Sequence, residues 1–117
     1  MKSKELKPKK ATPYEDLLLQ QIQDEGIVPP IREHKFLIDR RFRFDMAWPQ
    51  FMLGVEVDGN IWHGGRHNSG SGFTKDAEKF ALAAIDGWSI IRVTTGQVKS
   101  KEAIGWISSW FDKRDYR

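Results

Sequence analysis

Residues 41–58, RFRFDMAWPQFMLGVEVD, restrict the fold of this chain more than any other stretch. Apolar and polar residues alternate on both sides of Trp48-Pro49-Gln50-Phe51, and a period of two belongs to strands with one buried face. Proline interrupts the run and cannot donate to a ladder, so a tight turn is expected there and the two strands should pair as an antiparallel hairpin. With Pro49-Gln50 as a two-residue turn, Asp45 falls opposite Gly54 and Arg43 opposite Glu56. Phe42, Phe44, Met46 and Trp48 then share one face with Leu53, Val55 and Val57. Arg43, Asp45, Gly54, Glu56 and Asp58 share the other. Asp45 and Glu56 become diagonal neighbours, with Gly54 leaving space between them.

A hairpin alone does not bury enough to be stable, and the flanking sequence supplies its cover. Thr12-Pro13-Tyr14-Glu15 reads as a capped helix start, and Leu17, Leu18 and Ile22 carry the helix to about Asp24, before Gly26 and Pro29-Pro30. HKFLIDRRFRFDMAWP and QFMLGVEVDG read as the strands that meet at the turn. FTKDAEKFALAAIDG predicts a helix with Phe73, Ala77, Phe80, Ala81 and Ala84 on its apolar side and Gly87 at its end. WSIIRVTT predicts a short buried strand, and a last helix over about 99–113 turns Ile104, Ile107, Trp110 and Phe111 inward. The order is α-β-β-β-α-β-α. A helix between the third and fourth strands permits a parallel crossover, which gives an α/β fold with a mixed sheet flanked by helices.

At 117 residues the chain is expected to form one domain over 13–117, preceded by a tail over 1–12. The tail explains the charge. MKSKELKPKK carries five lysines and one glutamate, so the net charge of +3 belongs to it and the remainder is close to neutral. Such a segment reads as disordered, serving either solubility or non-specific phosphate contact. No secretory or membrane-spanning segment is evident, and a cytoplasmic protein is expected. The absence of cysteine excludes disulfides, thiolate metal sites and a thiol nucleophile.

The hairpin's polar face is where chemistry is expected. Asp45, Glu56 and Asp58 emerge together, and like charges that close raise one another's pKa unless a cation intervenes. Oxygen ligands without sulfur suit Mg²⁺ or Mn²⁺. A solvated strand face with Arg43 neutralising Glu56 is the plainer alternative. The glycine-rich run after the strand, GNIWHGGRHNSGSG, matches neither phosphate-binding glycine pattern. It does set Arg66 and His67 beside the acids, with Asn68 adjacent, and Arg and His are suited to phosphate contact and proton transfer. Trp62 reads as core, and His63 and His34 carry no specific signal. In the next helix Asp76 and Lys79 share a side: either a plain salt-bridging pair, or a lysine reaching the site with Asp76 orienting it. Glu15 is a capping-box member or a further acid of the site. Arg40, Arg41 and Arg43, with Arg66, Lys75 and Asn68, are the candidate contacts to an anionic partner.

FD-x-AWP, VEVDG, W-x-GGRH, G-x-GF, D-x-EK and GW-x-x-x-R together resemble the small phage and prophage endonuclease-like proteins related to very-short-patch repair endonucleases. These belong to the restriction-endonuclease-like PD-(D/E)xK superfamily. The resemblance spans about 13–111 and implies an αβββαβ core with a C-terminal helix. It implies Asp45 and Glu56 as the motif's two acids. Asp58 stands where the usual pattern has its lysine; Lys79 matches the helix position from which relatives replace it, and His67 matches a loop histidine better than His63 does. The cysteine-built zinc of the very-short-patch enzymes has no counterpart here. The implied activity is a Mg²⁺-dependent DNA endonuclease, with Asp45, Glu56 and Asp58 on the metal and His67, Lys79 or Glu15 assisting. A junction resolvase, which would need a dimer, and a DNA-binding module without turnover are the alternatives.

Overall fold

The computed structural model describes residues 12–59 and 70–117. Thr12 Oγ1 accepts from the Glu15 N–H at 3.1 Å, Pro13 sits in the first turn, and helix α1 runs Pro13–Asp24 until Gly26 turns at φ +73°. Strands β1 (Ile31–Lys35), β2 (Arg43–Trp48) and β3 (Leu53–Asp58) follow, then helix α2 (Gly70–Ile85), strand β4 (Ser89–Thr94), and helices α3 (Thr95–Lys99) and α4 (Glu102–Lys113). The sheet order is β1-β2-β3-β4, antiparallel except for the parallel β3–β4 pair that α2 connects. This is the expected mixed α/β architecture.

The sheet divides two apolar clusters. On one side Leu18 and Ile22 of α1, Val98 of α3, and Ile104, Ile107 and Phe111 of α4 close over Met46, Trp48, Leu53, Val55, Val57 and Val93. Trp48 and Phe111 meet edge to face at 5.0 Å, and the Trp48 indole N–H donates to the Val28 carbonyl at 2.6 Å. Each large side chain buried in this way contributes roughly 1.5–3 kcal/mol. On the other side Phe44, Ala47, Ala83 and Trp88 form a smaller cluster under α2.

Several details differ from the sequence expectation, each for a local reason. The hairpin turn is longer than two residues: Pro49–Phe51 form a 3-10 turn and Met52 closes it at φ +55°. The register moves by two, to Ala47↔Gly54 and Met46↔Val55. An even shift by itself leaves the alternation of faces unchanged. Phe44 breaks the alternation and crosses to the α2 side, where its ring lies against Gly54; a Cβ on Gly54 would stand 2.7 Å from that ring. The space expected between the acids is therefore filled by phenylalanine. Leu17 is exposed, while Leu18 is fully buried. The expected last helix begins at Glu102, after Lys101 at φ +72°, and an additional short helix, α3, precedes it. On α2 the described residues turned towards the protein are Lys79, Phe80, Leu82 and Ala83, with Asp76 half-exposed at their edge, and Ala77, Ala81 and Ala84 face outward. The side chain of Phe73, the tail up to residue 11, and the loop bearing Trp62, His63, Arg66, His67 and Asn68 lie outside the described residues. Among the described residues no helix is long and apolar enough to cross a membrane.

Candidate functional site

The ladders themselves assemble the site. Continuing the β1–β2 register one step past Arg32↔Met46 sets Glu33 opposite Asp45. Continuing β2–β3 past Met46↔Val55 sets Asp45 opposite Glu56, and Glu56 stands beside Arg92 in the parallel pair. One transverse row thus crosses all four strands: Glu33, Asp45, Glu56, Arg92. Asp45 and Glu56 are directly opposed rather than diagonal, because the turn is longer than expected.

Where the row crosses β2 and β3, carboxylates take over ladder bonds. The Asp45 N–H donates to Glu56 Oε2 at 3.2 Å, and the Val57 N–H donates to Asp45 Oδ2 at 2.8 Å. These backbone amides fix both side chains in place. Glu33 is held at φ +53°, a region a non-glycine residue occupies at a cost of about 1 kcal/mol or more. Its carboxylate meets those of Asp45 and Glu15, with one oxygen from each lying within 4.8 Å of the others. Glu15 reaches the cluster from α1 and is 1% exposed. Rather than closing a capping box, its carboxylate turns to Arg32, which lies 3.4 Å from Glu15 Oε1 and 3.2 Å from Asp16 Oδ1.

Glu56 faces a cation on the α2 side. Lys79 Nζ donates to Glu56 Oε1 at 2.8 Å and lies 5.6 Å from the centre of the Phe44 ring. Both side chains are 12% exposed. Burial pushes the Glu56 carboxyl up to about 7; the Lys79 ammonium opposes this, and the Asp45 charge adds to it. It is Lys79, not Arg43, that neutralises Glu56.

Asp58 is engaged elsewhere. Arg92 Nε pairs with Asp58 Oδ2, and Arg92 Nη2 reaches Asp76 Oδ2 at 3.2 Å. Asp76 therefore pairs with Arg92 rather than with Lys79. Of the candidate anion contacts, Arg40 pairs with Glu78 of α2 at 3.1 Å, Arg41 and Lys75 are exposed, and Arg43 is half-buried. The expected acid set of Asp45, Glu56 and Asp58 is thus rearranged. Asp45 gathers Glu15 and Glu33, Glu56 adjoins it through its amide, and Asp58 sits in a separate ion pair.

Glu33 and Arg92 were not among the sequence candidates. Glu33 sits in PPIREHK, which has no motif, and only pairing β1 against β2 would have set it beside Asp45. Arg92 was visible in GW-x-x-x-R without a role attached to it. Among the described residues the donor set around Asp45 is made of carboxylates, which suit a hard divalent cation.

No family model matches the chain, and no curated protein does. Among solved structures it is similar to the catalytic domain of the homing endonuclease I-Bth0305I, with a TM-score of 0.65 and 14% identity over 88% of this chain and 97% of that one. At that identity the likeness concerns the fold, and the fold is endonuclease-like.

Proposed function

We propose that the protein is a divalent-metal-dependent DNA endonuclease. The observation that carries this reading is the row of Glu33, Asp45 and Glu56, joined by Glu15 on one side and Lys79 on the other, in an endonuclease-like fold. Asp45, Glu15 and Glu33 would hold the ion, Mg²⁺ or Mn²⁺, with Glu56 next to them. Bound there, such an ion polarises a phosphate and makes a coordinated water more acidic. The residues of the chain do the rest. In hydrolysis the attacking water loses a proton as its oxygen bonds to phosphorus and the phosphorus–ester oxygen bond breaks. The Glu56 carboxylate, next to the acid cluster, would be placed to take that proton. The Lys79 ammonium, 2.8 Å from Glu56, is placed to meet a phosphate oxygen and offset its growing charge. Arg40, Arg41, Arg43 and Lys75, with Arg66 and Asn68 of the loop, would supply contacts to the DNA backbone. Kinship to the very-short-patch repair lineage rests on the sequence motifs.

The test is a supercoiled-plasmid assay with Mg²⁺, Mn²⁺ and chelator. Wild type is expected to nick or linearise DNA only with the cation, and Glu56→Ala to lose activity at least 100-fold, on the order seen when a transition-state contact is removed. Cation-dependent DNA binding without cleavage would favour a binding module, the reading that the Asp58–Arg92 pair also suits.

A further inference from the structure

Helix α2 brings Lys79 to Glu56, yet it has few apolar reasons to stay where it is. Among its described side chains only Ala83 is fully buried; Ile85 is 81% exposed, and Ala77, Ala81 and Ala84 face outward. Phe80 and Leu82 are partly buried, and among the described residues three ion pairs tie the helix to the sheet side: Lys79 to Glu56, Asp76 to Arg92, and Glu78 to Arg40. Ion pairs thus aim Lys79 together with packing. Arg92 occupies the row position next to Glu56 on β4. Its guanidinium joins Asp58 at the end of β3 to Asp76 on α2, and lies 4.9 Å from the centre of the Phe80 ring. Asp76 and Lys79 are three residues apart and on the same side of the helix. Fixing Asp76 therefore fixes Lys79 about 4.5 Å further along the axis. Lys79 also lies 5.8 Å from the centre of the Phe80 ring, so both cations neighbour one aromatic.

From this geometry we infer that Arg92 is a positioning residue that bridges Asp58 to Asp76 and thereby seats the Lys79 ammonium on Glu56. The inference rests on the nuclease reading for its consequence, though not for its geometry. A planar fork can bridge two carboxylates where a lysine, as a point charge, holds one. The bridge also neutralises Asp58, which would otherwise set an uncompensated charge two residues from Glu56 on the same face.

The experiment is a kinetic double-mutant cycle on the full chain: wild type, Arg92→Gln, Lys79→Met and the pair, with plasmid cleavage followed under saturating Mg²⁺. Loss of aim is expected to lower kcat about 10- to 100-fold with KM little changed, since ångström misplacements reach that size. In the Lys79→Met background, Arg92→Gln should then add less than about twofold. Equal losses in both backgrounds would overturn the inference in favour of a general structural role. Arg92→Lys should recover only part of the loss; full recovery would also overturn it. A readout free of activity accompanies the cycle: in ¹⁵N-lysine NMR spectra of the metal-free protein, the Lys79 ammonium should be protected in wild type and lose protection in Arg92→Gln. Unchanged protection refutes the positioning. A wild type that cuts no DNA refutes the nuclease reading and leaves NMR to decide the bridge. Should Arg92→Gln fail to fold, Asp76→Asn opens only the α2 end and takes its place in both measurements.

Discussion

Replacing Glu56 by glutamine in the metal-free protein should change how stability depends on pH more than it changes stability itself. Glu56 is almost enclosed, and burial raises its carboxyl from 4.5 to about 7 despite the Lys79 ammonium at 2.8 Å. The folded carboxyl keeps its proton to higher pH than the unfolded one, so the folded state binds more protons between the two values. Its contribution is fully present below pH 4.5 and is lost as the pH rises through about 7. A rise of that size corresponds to about 3 kcal/mol. Glutamine resembles the protonated acid and does not titrate. Urea unfolding in chelator from pH 4 to 8 should therefore show wild type losing about 3 kcal/mol relative to Glu56→Gln, most of it between pH 5 and 7. In thermal melts the corresponding divergence is about 10 °C or more for a domain of this size. Other titrating groups cancel in the difference. Parallel curves for the two proteins would refute the enclosure of Glu56 and the electrostatic picture built on it.

Lys79→Met should destabilise the metal-free protein at pH 8 by about 3 kcal/mol, because it leaves Glu56 buried without its cation; adding Glu56→Gln should restore most of that, as read by urea midpoints. Gly54→Ala should cost roughly 1–3 kcal/mol in thermal unfolding, since its methyl would meet the Phe44 ring at 2.7 Å; the usual slight gain from replacing glycine in a strand would contradict this packing. Mn²⁺ at a hundred times its dissociation constant should stabilise wild type by about 2.7 kcal/mol and stabilise Asp45→Asn far less, measured by melting with and without the ion.

The sequence exposes some levels of this molecule and hides others. Alternation marked β2 and β3 as strands, but it did not foresee that Phe44 leaves its face or that Asp45 meets Glu15 of α1 while Glu56 meets Lys79 of α2. It could not give the register itself. That depended on Pro49–Phe51 winding into a 3-10 turn and Met52 turning left-handed, choices set by backbone closure rather than by periodicity. The inward face of α2 was misassigned for a related reason. Asp76 and Lys79 look like solvent-facing residues, and only partners distant in sequence, Arg92 and Glu56, draw them inward. Phe44 departed from its alternating face because Gly54 offered a flat seat across the hairpin. Glu33 had no local pattern at all. Its membership of the acid cluster arises from cross-strand pairing and a left-handed backbone, and both are long-range facts.

Anomalous diffraction from crystals grown with Mn²⁺ tests the acid cluster most directly. The expected result is a single strong peak among the carboxylates of Glu15, Glu33 and Asp45, with Asp58 still paired to Arg92. A well-occupied ion bound at Asp58 instead, or an Asp45 cluster that stays empty in crystals of protein that cleaves DNA, would contradict it.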